Sequence, residues 1–109
     1  MSGDEFDEIW INLADGRSMC GLIRGDVGWL IYIREAGDAG FSSRNPDYAG
    51  PPDAEIEYRL NNGQRDRYPA AWAISSREVR RALSYFEEEN QIPSWITWAN
   101  DSGDGTSPC

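Results

Sequence analysis

The segment from Ile74 to Trp98 constrains this chain most, because it carries the one clear helical pattern in the sequence. Ser75 followed by Glu78 makes a capping box, in which each side chain satisfies an orphan amide at a helix start. Val79, Ala82, Leu83 and Phe86 then recur at helical spacing and give one apolar stripe that must be buried. Pro93 is expected to end the helix, and Ile92 before it is biased away from helical backbone. Trp95 to Trp98 reads as a short closing strand with its two tryptophans on opposite faces. One helix with one apolar stripe needs a sheet to pack on.

The charge order of this helix is unusual. Arg77, Arg80 and Arg81 occupy its first half, whereas Glu87, Glu88 and Glu89 fill its last turns. The helix dipole favours the opposite arrangement by roughly 0.3–1 kcal/mol per charge. A solvated polar face is the bland explanation. The sharper one is that the triple glutamate serves a partner, since locally unfavourable choices tend to mark functional sites.

Upstream, the apolar residues alternate with the period of strands. Ile9, Ile11 and Leu13 alternate with Glu8, Trp10 and Asn12, and Asp15-Gly16 reads as a two-residue turn. That turn would pair Ile11 with Cys20 and Ile9 with Leu22. Gly25-Asp26, with glycine first as a type II′ turn requires, would pair Leu22 with Trp29, Cys20 with Ile31 and Ser18 with Ile33. Together these registers predict a three-stranded meander with Cys20 in the core. Gly37 to Asp53 is a long loop with a brief strand near Phe41-Ser42-Ser43. Ile56, Tyr58 and Leu60 resume the alternation. A two-residue Asn-Gly turn would pair Tyr58 with Arg67; a three-residue loop, pairing Tyr58 with Tyr68 and Ile56 with Ala70, keeps the apolar face in phase and is preferred. Pro69, which has no amide to donate, places its strand at an edge.

The composition narrows the function. The 109 residues suit one domain, expected over 1–100, with a disordered tail over 101–109. Nineteen acidic against ten basic residues give a net charge of −9. Direct binding of nucleic acid or an anionic membrane is therefore not expected, and the natural partner is a basic surface. The first residues form neither a signal peptide nor a membrane span, which implies a cytoplasmic location and reduced cysteines. With no histidine, neither a Ser-His nor a Cys-His nucleophile pair can be assembled, and no metal or cofactor motif is recognisable. Asn100, Ser102 and Asp104 imitate the opening of a calcium loop whose closing acid would lie beyond the last residue. An enzyme is not expected; a small carboxylate hydrolase would need a deep cleft holding two acids, one with a raised pKa.

Five tryptophans and five tyrosines are many for this length. Trp29 is expected in the core. Trp10, on the polar face of its strand, is the clearest candidate for an interface anchor, a role in which tryptophan is common.

The run from about Trp29 to Trp98 resembles the first-numbered family of bacterial polymorphic-toxin immunity proteins. The resemblance is carried by Trp29-Leu-Ile-Tyr-Ile33, the Gly/Ser/Pro-rich middle, Pro69-Ala-Ala-Trp-Ala-Ile74, the helix with Ala82 and Phe86 four apart, Pro93 and the closing Trp98. Members often begin with a helix before the meander, whereas this chain starts almost directly with its first strand. Many also have a Thr/Gly-type turn with arginine before the proline, where this chain has Glu88-Glu89-Asn90-Gln91-Ile92.

The resemblance implies a cytoplasmic antidote that binds a cognate toxin, many such toxins being nucleic-acid deaminases or nucleases. The mechanism would be stoichiometric occlusion by a monomer in a one-to-one complex. The expected partner-binding residues are Glu87, Glu88 and Glu89, together with Asp47, Asp53, Glu55 and Glu57 and the aromatic Trp10. An acidic adaptor or nucleic-acid mimic for a basic host protein is the alternative. The expected fold is α+β: a twisted antiparallel sheet of about five or six strands with one C-terminal helix on one face.

Overall fold

The computed structural model describes residues 6–35, 37–60 and 62–101. Among these residues, eight strands and one α-helix follow one another as β1 (Phe6–Asn12), β2 (Ser18–Arg24), β3 (Val27–Ile33), β4 (Phe41–Arg44), β5 (Glu55–Arg59), β6 (Arg65–Pro69), β7 (Ile74–Ser75), α1 (Ser76–Glu89) and β8 (Thr97–Asn100), with a single 3-10 turn at Ala70–Trp72 between β6 and β7. An antiparallel sheet runs in the order β1-β2-β3-β4-β8, with β7 also paired to β3. β5 and β6 form a separate two-stranded hairpin. The architecture is α+β, as the helical stripe and the alternating strands require.

Three layers result. On one face, Val79, Ala82, Leu83 and Phe86 of α1 pack with Met19, Ile23, Leu30, Tyr32, Phe41 and Ile96. On the other, the β5–β6 hairpin brings Tyr58, Tyr68 and neighbouring Trp72 against Cys20, Leu22 and Trp29. Trp29 lies at ring-centroid distances of 4.0 Å from Tyr68 and 5.7 Å from Trp72. The central strands are thus covered on both sides, which explains why Trp29-Leu-Ile-Tyr-Ile33 is a continuous apolar run.

Glycines set the distance between helix and sheet. A Cβ at Gly21 would stand 2.7 Å from Val79 Cγ1 and 2.8 Å from Leu83 Cδ1. At Gly28 it would stand 2.6 Å from the Leu22 carbonyl oxygen. The helix sits where side chains at these two strand positions would otherwise be.

The β2–β3 register is the expected one, with Leu22 opposite Trp29 and Cys20 opposite Ile31. Gly25 has φ +61°, as a turn with glycine in first place requires. The β1–β2 register differs by one residue from the sequence expectation: Trp10, not Ile11, lies opposite Cys20, and Ile9 lies opposite Gly21. The cause is a three-residue loop in place of a two-residue turn. Leu13 N–H donates to the Arg17 carbonyl at 2.8 Å, and Gly16 takes φ +98°. Asp15 Oδ1 accepts from Arg17 N–H at 3.1 Å and fixes that loop. One residue of slip exchanges the faces of a strand. Ile9, Ile11 and Leu13 consequently join the helix side, and Trp10 takes the hairpin side.

The second hairpin uses the same closure, Leu60 N–H donating to the Gln64 carbonyl at 2.8 Å with Gly63 at φ +89°. Tyr58 is therefore opposite Asp66 and Ile56 opposite Tyr68, two residues from the expected partners. Ile56, Tyr58 and Tyr68 still share the inner face.

The helix begins at the expected cap, with Ser75 Oγ accepting from Glu78 N–H at 3.2 Å. The reciprocal half of the capping box does not form, the Glu78 carboxylate facing Arg81 at 3.8 Å instead. Ser76 N–H also donates to the Asp26 carbonyl of the β2–β3 turn at 2.8 Å. Asn90, not Pro93, ends it: Asn90 adopts φ +58° and donates its N–H to the Phe86 carbonyl. The closing strand also starts later than expected, at Thr97, because Trp95 precedes it and packs edge-on against Tyr85.

Asp101, expected in the tail, is held by its N–H to the Gly40 carbonyl and by Ser42 Oγ, which donates to its carboxylate at 2.6 Å. The remainder of the expected tail, 102–109, lies outside the described residues, as do Ser102 and Asp104 of the calcium-loop imitation. Among the described residues, no helix is long and apolar enough to cross a membrane.

Candidate functional site

The acidic end of α1 is held by a residue 73 positions away. Arg17, in the loop between β1 and β2, donates from Nη2 to the Asn90 carbonyl at 2.7 Å. It also donates from Nε to Asp15 Oδ2 at 2.9 Å and lies 5.9 Å from the centre of the Phe86 ring. Its pKa is raised, first by a hydrogen bond to Tyr32 and then by Asp15. The cation that a helix C-terminus favours is therefore supplied from the sheet, and the helix itself has no base in its last turn. This releases Glu87, Glu88 and Glu89 from any structural duty. All three are exposed, and among the described residues no cation pairs with them.

The helical arginines, by contrast, are mostly engaged. Arg80 pairs with Asp7 of β1 at 3.0 Å. Arg81 lies 3.8 Å from Glu78 and sits over the Trp95 ring, 4.2 Å from its centre. The two halves of the helix surface thus differ in what they offer. One is internally satisfied, and the other carries uncompensated charge.

The other acids expected to bind a partner do not gather around this cluster. Asp47 lines a groove of about 270 Å³ with Arg44, Ser75, Glu78 and Trp95, at the N-terminal end of α1. Asp53 is exposed in the loop before β5. Glu55 and Glu57 lie on the outer face of the β5–β6 hairpin, across the sheet from the helix, beside Arg24 and Arg67. Glu57 is already engaged, 3.8 Å from Arg65 and 3.6 Å from Arg67. A helix of 14 residues spans about 21 Å, which separates Asp47 from the triple glutamate. The three glutamates therefore form a cluster by themselves.

Trp10 is 45% exposed, the most exposed large apolar residue among those described. Its Nε1 donates to Glu8 Oε2 at 2.8 Å. It lies on β1, the edge strand nearest the acidic helix end, and on the opposite face of the sheet from Glu87.

The buried titratable groups serve structure. Burial pushes the Cys20 thiol up to about 12, aided by the nearby Glu8 charge, and makes it a poor nucleophile. Burial likewise raises Tyr58 to about 12. Asp38 is held far below the usual carboxylate range by Arg34, which meets it side chain to side chain at 2.8 Å and through its backbone N–H. Burial lowers Arg44, which stacks over Trp72 at 3.7 Å and faces Asp101 at 3.6 Å. Among the described residues, no group of three or more His, Cys, Asp or Glu could hold a metal ion. The groove beside Asp47 falls below the roughly 300–1,000 Å³ usual for small-molecule sites.

The role of Arg17 was invisible in sequence because it depends on a contact between chain segments 73 residues apart. The one signal was the reversed charge order of the helix, which asked for a cation at its end without saying where it came from.

No curated protein matches this sequence. The Immunity protein Imm1 family does, over residues 2–100, and the chain belongs to that family, whose members protect against a toxin.

Proposed function

We propose that the chain neutralises a nucleic-acid-directed toxin, of the deaminase type, by binding it one-to-one in the cytoplasm and occluding its active site. The observation that carries this reading is the exposed triplet Glu87-Glu88-Glu89, left without an internal cation because Arg17 caps the helix. A toxin domain that works on nucleic acid needs a basic groove for phosphates. Three successive uncompensated carboxylates can occupy such a groove and exclude the substrate. The net charge of −9 speeds that encounter and disfavours direct contact with nucleic acid or an anionic membrane. Inhibition by occupancy asks no chemistry of the chain itself, and Trp10 adds an apolar anchor of the kind interfaces favour.

The test is Glu87/Glu88/Glu89→Lys, assayed for association with the toxin domain encoded beside the chain. At low salt the on-rate should fall at least about tenfold. Thermal stability should hold or rise, since lysines at a helix C-terminus gain roughly 0.3–1 kcal/mol each. An unchanged on-rate would refute the role of the cluster. Equal loss of binding to unrelated basic proteins would mark the chain as an acidic adaptor instead.

A further inference from the structure

We infer that the toxin adds a strand to the free edge of β1, extending the sheet, with apolar and basic side chains alternating along it. The inference rests on the immunity reading and says where and how the partner docks.

β1 is a terminal strand of the sheet, seven residues long, and among the described strands only β2 pairs with it. The other terminal strand, β8, has four residues and turns Trp98 to the core. Edges as long as β1 are usually blunted by proline, bulges or covering segments, because they are templates for another strand. β1 has no proline and pairs with β2 without a bulge from Phe6 to Asn12.

The register shows which backbone groups are on offer. Leu13 N–H donates to Arg17, so Leu13, Ile11, Ile9 and Asp7 direct their amides to β2. The amides of Trp10 and Asn12 consequently point away from the sheet.

Side chains on the two faces of this edge differ in chemistry. On the hairpin face stands Trp10, 45% exposed. On the helix face, α1 runs alongside β1, as the Arg80–Asp7 pair shows. Glu87 lies seven residues beyond Arg80, on nearly the same stripe of the helix. An added strand would therefore meet Trp10 with one set of side chains and Glu87 with the alternate set. Apolar residues suit the first and lysine or arginine the second. A second copy of this chain is disfavoured as occupant, since it would bring Asp7, Glu8 and a net charge of −9 against the same acids.

Hydrogen exchange on the complex with the neighbouring toxin domain tests this residue by residue. The Trp10 and Asn12 amides should slow by at least about tenfold on binding, while Ile9 and Ile11, already bonded to β2, change little. Asn12→Pro, which removes the outward donor together with the hydrogen bond that Asn12 Oδ1 accepts from Ser18 Oγ at 2.7 Å, should weaken binding about tenfold. Asn12→Ala, which loses only that side-chain bond, should bind as the unaltered chain does. A complex in which Trp10 and Asn12 exchange as in the free chain would overturn edge pairing and leave the immunity reading intact. Failure of the unaltered chain to form any complex would defeat both. A dimer of the free chain that Asn12→Pro dissolves would assign the edge to a second copy and overturn the proposal.

Discussion

Arg17→Ala tests how a helix can afford three glutamates at its C-terminus. The guanidinium donates to the Asn90 carbonyl at 2.7 Å while its side chain keeps only 27% exposure. A cation in such a position gains roughly 0.3–1 kcal/mol from the helix dipole, and up to about 2 when partly buried. Its charged hydrogen bond and the dipole overlap, and the exposed pair with Asp15 adds little. A loss of about 1.5 kcal/mol follows, which for a domain of this length lowers Tm by about 7 °C. Arg17→Lys should recover part of it, because the charge remains while the fork between Asn90 and Asp15 is lost.

The decisive measurement is a double-mutant cycle by thermal or urea unfolding. In the Glu87/Glu88/Glu89→Lys background, lysines would already supply the cation, so Arg17→Ala should cost at least about 0.5 kcal/mol less there. A Tm drop under about 2 °C, or equal costs in the two backgrounds, would refute this account of the helix end. Arg17→Ala should also leave toxin association unslowed, which separates holding the helix from meeting the partner.

Two further outcomes are expected. Gly28→Ala should cost about 1–3 kcal/mol in urea unfolding and more than Gly21→Ala, because the new methyl meets the Leu22 backbone as well as Val79, whereas at Gly21 it meets only the Val79 and Leu83 side chains; the reverse order would show that the sheet, not the side chains, gives way. Stability should also decline in alkali. The Cys20 pKa is raised from 9.0 to about 12, so its contribution is complete below about 9 and is lost as pH rises towards 12. Cys20→Ala should flatten that decline, leaving the part due to Tyr58; an unchanged slope would mean that Cys20 is not sealed under the hairpin.

Local signals were legible where the physics is local. The Ser75 cap, the Val79–Phe86 stripe and the Gly25-Asp26 turn depend on residues within a few positions of one another, and each lies where the spacing put it. The β1–β2 hairpin was misread by loop length, whereas the β5–β6 hairpin has the preferred three-residue loop, placed one residue earlier than expected. Asp15-Gly16 and Asn62-Gly63 fit a two-residue turn, or a three-residue loop closed by a left-handed glycine, about equally well as strings. Backbone closure from Leu13 to Arg17 and from Leu60 to Gln64 made the choice. For β1 that choice decided which face Ile9 and Trp10 occupy, and hence what the sheet edge presents.

The sequence alone determined that one helix packs on antiparallel strands, that Cys20 and Trp29 are interior, and that the chain carries a net charge of −9. Composition and periodicity act through hydrophobic burial and net charge, neither of which needs to know which segments meet. Only the tertiary structure decided that the β5–β6 hairpin covers the second face of the sheet, that Gly21 and Gly28 admit the helix, and that Arg17 caps it. Those outcomes rest on contacts between segments distant along the chain, whose geometry exists only once the layers are stacked.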